Sequence, residues 1–267
     1  SRGLGDVYKR QVLDCFGPDV REALAAAGRL AFGRAELPVA GGQADPARLS
    51  HTGRRHLARV ARTHGVELAA LGADLGGLRF ADSADVERCL DKTRQVIEMA
   101  AELRIPVVTS HLGRLDETTV RRAHTRQVLE ELADAADRTG TFVAFETAGG
   151  EPRQLAGMLR EIGCPWLAAC YDPASLIIEG FDPLAGMEPL ADRIVSARGR
   201  DALSGSAGRA GREVPLGEGH LDLPAYLAAL DQAGYRDAPF LRRTEALDPQ
   251  AELAAAKSRL ERLLTRG

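Results

Sequence analysis

Short apolar runs alternate with longer stretches of helical period along nearly the whole chain. The runs at 34–39, 66–71, 106–111, 142–146, 167–172, 194–198 and 239–244 hold five or six residues each, the length of buried parallel strands. An eighth run, 12–16, reads as the end of a strand. Between them lie stretches with helical spacing at 18–30, 48–64, 83–103, 118–139, 152–162, 182–191, 223–233 and 249–264. The longest, 83–103, carries an apolar stripe of Val86, Leu90, Ile97 and Ala101. Pro18 suits a helix start, and Gly65, Gly140 and Gly234 suit helix ends. Pro183 and Pro189 limit the regularity of 182–191, and a glycine-rich loop spans 204–219. Eight strands alternating with eight helices predict a closed (β/α)8 TIM barrel with an incomplete native first strand. An open doubly wound sheet fits less well, because no GxGxxG follows the first strand. No linker, repeat or low-complexity tract interrupts the pattern, so residues 12–267 read as a single domain.

Composition refines this picture little. Hydrophobic residues make up 45% of the 267, enough for a sizeable core, while aromatics make up only 4%, which suits helices packed on a sheet. The net charge of −3 comes from interspersed charges and leaves no basic face for nucleic acid. Cys15, Cys89, Cys164 and Cys170 show no CxxC or zinc spacing and read as free thiols of a reducing, cytoplasmic compartment. No apolar run approaches the roughly 20 residues of a membrane span. Residues 1–11, Ser-Arg-Gly-Leu-Gly-Asp-Val-Tyr-Lys-Arg-Gln, match one translated frame of a transposon-type sequencing adapter. They are expected to be a non-native scar, with the native stretch beginning near Val12 and any targeting signal lost.

Candidate chemistry gathers at two strand ends. Phe142–Glu146 ends in a carboxylate before Thr147-Ala148-Gly149-Gly150, and 167–172 ends in Asp172 before Pro173. A strand, a helix and a second strand imply a parallel pair, which puts Glu146 and Asp172 at one C-terminal mouth, where such folds carry their chemistry. The competing reading is that both acids cap the helices that follow.

The segments Phe145-Glu146, Tyr171-Asp172-Pro173-Ala174, Arg193-Ile194-Val195 with Arg200-Asp201, Pro215-Leu216-Gly217-Glu218-Gly219 and Gly234-Tyr235 resemble the sugar-phosphate isomerase/epimerase branch of the xylose-isomerase-like barrels. The resemblance covers nearly all of 12–264. It implies an isomerase or epimerase that moves a proton next to the carbonyl of an open-chain carbohydrate through an enediolate. It also implies one divalent ion (Mn, Mg, Co or Zn) held by Glu, Asp, His and Glu from strands five to eight. Glu146 and Asp172 match the first two ligands. The third falls on Arg198 and the fourth on Arg242, and a guanidinium cannot ligate a metal. Ser175 stands where many members carry a substrate-binding His. A degenerate, metal-poor site is therefore expected.

Three readings stay open at this stage. The first is a metal-independent isomerase with Glu146 as base and Arg198 or Arg242 holding the enediolate. The second is a non-catalytic sugar or sugar-acid binder, with the arginines pairing with acids or with a substrate anion. In the third, a shifted register still admits a metal with help from His111 or His220. His111, Ser175 and Glu218 are candidate substrate-binding residues; Glu218 is also a candidate for ordering its own loop. Arg200 and Asp201 are expected to pair with each other or with neighbouring strand ends. The partner implied is a small-molecule carbohydrate, with no nucleic acid and no membrane. The DNA-repair endonucleases of the same barrel are excluded, since they need several metals and many strand-end histidines, and this chain has six His in all.

Overall fold

Strand and helix alternate until the sheet closes on itself. The computed structural model describes residues 10–17, 19–74, 80, 86–115, 123–206 and 208–264. Residues 1–9 of the adapter-like stretch, Pro18 and the predicted helix starts at 83–85 and 118–122 lie outside them. In chain order the elements are β1 (Arg10–Val12), α1 (Val20–Arg29), β2 (Arg34–Pro38), α2 (His51–Thr63), β3 (Glu67–Gly72), α3 (Val86–Leu103), β4 (Val107–Ser110), α4 (Ala123–Thr139) and β5 (Phe142–Glu146). They continue with α5 (Pro152–Ile162), β6 (Leu167–Tyr171), α6 (Pro173–Glu179), β7 (Ile194–Gly199), β8 (Asp201–Leu203), β9 (Arg212–Val214), α7 (Leu223–Gln232), β10 (Phe240–Leu241) and α8 (Pro249–Leu264).

Eight strands form a closed parallel barrel in the ring order β1, β2, β3, β4, β5, β6, β7, β10. Local chemistry sets the helix entries. Asp19 accepts the Arg21 and Glu22 amides at the start of α1, Ser50 accepts Gly53 at α2, and Asp222 accepts Ala225 at α7. The main core lies between barrel and helices. A smaller cluster fills the barrel itself, with Val12, Ala70, Val107, Ala144, Ala168, Cys170 and Phe240. Its alanines leave room above them for a long polar side chain. No described helix is long and apolar enough to cross a membrane.

Four local expectations change. The first strand sits at Arg10–Val12, and Leu13–Phe16 is a 3-10 turn. Two adapter-like residues, Arg10 and Gln11, thus help close the ring. Gln11 pairs in register with Ala35 and Leu241, both in the barrel–helix core. It is fully buried there, and neither amide atom finds a hydrogen-bond partner. An unsatisfied buried amide costs about 1–3 kcal/mol. The stretch predicted as a helix at 182–191 is a 3-10 segment, Ala185–Arg193, with Pro189 inside it. The glycine-rich loop is not wholly irregular, because β8 and β9 pair as an antiparallel hairpin. Finally, the helix that Asp172 caps, α6, is a short one that ends well before the stretch expected at 182–191.

Candidate active site

Side chains at alternate positions point into the barrel, so each strand end offers one residue to the mouth. Arg198 of β7 is fully buried and reaches across the barrel axis. Its Nη1 and Nη2 donate to the two oxygens of Glu36 on β2, at 2.6 and 2.9 Å. Its Nε and Nη2 donate to Glu146 Oε1 on β5, at 3.1 and 2.5 Å. Thr109 Oγ1 donates to Glu36 Oε1 at 3.0 Å. Gly72 leaves the space Glu36 needs, since a Cβ there would lie 3.4 Å from Glu36 Oε1 and 3.3 Å from Pro38 Cα.

Above this buried layer the mouth opens. His111 Nε2 lies 2.8 Å from Glu146 Oε2 and 3.8 Å from Asp74. Arg242 donates through Nε and Nη2 to Asp14 Oδ2, at 3.1 and 2.8 Å, and its Nη1 lies 3.6 Å from Glu146 Oε1. A cavity of about 260 Å³ is lined by Asp14, Glu36, Asp74, His111, Glu146 and Arg242. His111 and Asp74 also line a second cavity, of about 940 Å³, with Arg114, Gly149, Ser175 and Glu179.

Asp172 belongs to a separate network. It pairs with Arg200, accepts Ser175 Oγ at 3.1 Å and caps α6 through the Ala174 and Ser175 amides. Arg200 Nε donates to Glu213 Oε1 at 2.7 Å, and Glu213 Oε2 accepts Arg243 Nη1 at 2.9 Å. The helix cap offered as the competing reading of Asp172 is present, and the same carboxylate also pairs with Arg200.

Of the candidates read from the sequence, Glu146, Arg198, Arg242 and His111 meet at one place. Arg198 lies below the cavity with its charge shared between two carboxylates. Glu146 and Asp172 turn to different arginines. Ser175 faces the larger cavity while bonded to Asp172. Glu218 lines a third cavity, beside Leu216, Ala251 and Arg259, where His111 takes no part. His220 sits 2.9 Å from Ser204 Oγ and takes no part in either mouth cavity. The Gly217-Glu218-Gly219 loop is ordered by Asp201, whose carboxylate accepts the amides of Gly217, Gly219 and Leu221 at 2.9, 2.9 and 3.0 Å. A Cβ at Gly219 would lie 2.2 Å from Asp201 Oδ1, which explains that glycine. Arg200 and Asp201 do not pair with each other; Arg200 meets neighbouring strand ends and Asp201 meets the loop.

Three acids of the smaller cavity went unremarked in the sequence, Glu36, Asp14 and Asp74. Glu36 carried a usable signal, an acid inside a short strand two residues before its closing proline. Asp14 lies in the run expected to be strand, where alternation points it inward with Val12.

Electrostatics follow from this crowding. The Glu146 carboxylate raises the His111 pKa against the opposing effect of burial. Burial alone would push Glu146 up, but His111 and then Arg198 hold it well below the usual carboxylate range. The His111 charge therefore stabilises the fold fully below its unfolded value of about 6.5, and that contribution fades as pH rises through the folded value. The Glu146 contribution is present above its ordinary value and is lost as acid carries the pH down through the folded one. In an NMR titration the His111 ring is expected to have its midpoint above 6.5, and in E146Q below it, where burial acts alone. A wild-type midpoint at or below 6.5 would show that the pair is not formed.

The model of the xylose isomerase-like TIM barrel family matches residues 22–263. The chain belongs to that family. No curated protein matches it. Among solved structures, a xylose isomerase domain protein from Planctomyces limnophilus superposes with a TM-score of 0.84 at 19% identity, over 97% of this chain and 98% of the other. A xylose isomerase-like TIM barrel protein from Mycobacterium smegmatis, solved with magnesium, gives 0.74 at 14% identity, over 92% and 88%. D-allulose 3-epimerase from Methylomonas sp., in complex with D-allulose, gives 0.72 at 15% identity, over 96% of each chain. At such identities the likeness is one of fold.

The acids expected as metal ligands are already engaged by arginines. Glu36 and Glu146 are the buried acids of the barrel centre, and the guanidinium of Arg198 lies between them. Asp172 is taken up by Arg200 and by the α6 amides. Among the described residues, no group of three or more His, Cys, Asp and Glu side chains is arranged to hold a metal.

Proposed function

We propose that this barrel is a carbohydrate isomerase or epimerase that moves a proton next to a carbonyl without a metal, with His111 as the proton carrier. One observation carries the reading: His111 stands at the wall shared by the two mouth cavities with Nε2 on Glu146. Glu146 accepts the Nε2 proton of neutral His111, which fixes the tautomer and leaves the Nδ1 lone pair for substrate. Nδ1 makes no hydrogen bond to the described residues. In the proposed step the C–H bond next to the carbonyl breaks, its proton passes to Nδ1, and its electron pair moves into the carbonyl oxygen as the enediolate forms. Arg242, on the wall of the same cavity, supplies the positive charge that meets that oxygen. Return of the proton to the former carbonyl carbon, with the hydroxyl proton passing to the other enediolate oxygen, isomerises the sugar, and return to the original carbon from the opposite face epimerises it. Glu146 orients and polarises His111, and its two oxygens are taken up by Arg198 and His111.

A second reading, a non-catalytic sugar or sugar-acid binder on the same barrel, draws on the confinement of Glu146 and Asp172 in ion pairs. Incubation with a panel of ketoses, aldoses and their phosphates in D2O separates the two. The enzyme reading expects deuterium at the carbon next to the carbonyl, and a loss of about 10²-fold or more in H111Q with sugar binding retained. Binding of a sugar with no exchange would leave the binder.

A further inference from the structure

We propose that the guanidinium of Arg198 is the resident cation of this barrel: it stands in the place of a divalent ion, neutralises Glu36 and Glu146, and makes the centre independent of bound metal.

The burial and the geometry carry this. Arg198 is 0% exposed, Glu36 2% and Glu146 5%. Two carboxylates this far from water need a positive charge between them. Arg198 provides it through four hydrogen bonds of 2.5–3.1 Å, two to each acid. Its planar fork suits two carboxylates on different strands, which a point charge such as lysine would not bridge in the same way. The stem starts on β7, and the head sits between β2 and β5, near the middle of the barrel. The backbone carbonyl of Arg198 accepts the Tyr226 hydroxyl at 3.0 Å, which anchors the base of the stem. Arg242 adds a further fixed positive charge on the open side of Glu146, its Nη1 3.6 Å from Glu146 Oε1. The inference does not depend on the proposed reaction, because its test reads stability and metal content, not turnover.

If the guanidinium is the resident cation, removing it leaves a site that a small cation from solution should fill. In R198A, Tm is expected to fall by about 10 °C, the range for an unpaired buried charge in a domain of this size. Guanidinium chloride at 10–50 mM, far below denaturing concentrations, is expected to restore about half of that loss, while matched sodium chloride restores none. Wild-type Tm should not rise with either salt. The double variant E36Q/R198A, with one acid neutralised, should lose the guanidinium response. Failure of guanidinium to raise the Tm of R198A, or an equal rise with sodium chloride, would overturn the proposal. The wild-type protein supplies a second measurement should R198A not fold. After expression with manganese and dialysis against metal-free buffer, elemental analysis is expected to find well under 0.1 ion per chain, with no manganese site below millimolar Kd. A stoichiometric ion that E36Q and E146Q abolish would equally overturn it.

Discussion

Replacing Glu36 with alanine is expected to lower the stability of the fold by about 3–5 kcal/mol, the cost of breaking a buried ion pair from one side. The carboxylate accepts both Nη groups of Arg198 and the Thr109 hydroxyl. Its loss leaves one buried guanidinium to share Glu146 with His111 and Arg242. The hydroxyl of Thr109, itself 3% exposed, loses its acceptor as well. Urea unfolding measures the change, and the slope should stay constant, since the denatured state is not altered. E36Q keeps an acceptor for Thr109 and one for Arg198, so it should recover part of the loss. A change below about 1 kcal/mol in E36A would mean that the buried layer does not hold the barrel together in the way its geometry implies.

Asp201→Ala is expected to cost about 2–4 kcal/mol and to loosen the segment after β9 without opening the barrel. Its carboxylate is 1% exposed and accepts four backbone amides, those of Ala202, Gly217, Gly219 and Leu221. Each hydrogen bond to a charged acceptor contributes about 1.5–3 kcal/mol, and water that enters the loop offsets part of the loss. Hydrogen exchange at Gly217, Gly219 and Leu221 should speed up by more than about tenfold, while exchange in β5 and β6 stays slow. Unchanged protection at those three amides would show that Glu218 or the chain itself orders the loop.

The two substitutions touch parts of the protein that differ in how far the sequence revealed them. The barrel was legible because its signals are local and repeated: apolar runs of strand length, Pro and Gly at helix ends, and acids at the close of two strands. Strand-end position put Glu146 and Asp172 at one mouth, and the resemblance put Arg198 and Arg242 where a metal would need His and Glu. The Gly-Glu-Gly loop was visible as a motif, but its anchor was not, because Asp201 lies 16 residues before Gly217 across an intervening hairpin.

What the sequence determined by itself is therefore the architecture, the closing of strands five and six on carboxylates, and the arginines in two expected ligand positions. Tertiary structure alone decided the pairings. Arg198 lies in β7 and Arg200 just beyond its end, so their spacing cannot say which acid each will meet. Glu36 is 162 residues from Arg198 in the chain, and they meet only because the closed ring brings β2 and β5 within reach of a side chain crossing from β7. The slip of the first strand to Arg10–Val12 has the same origin. A three-residue strand has too little pattern of its own, and its register is set by β2 and β10 on either side.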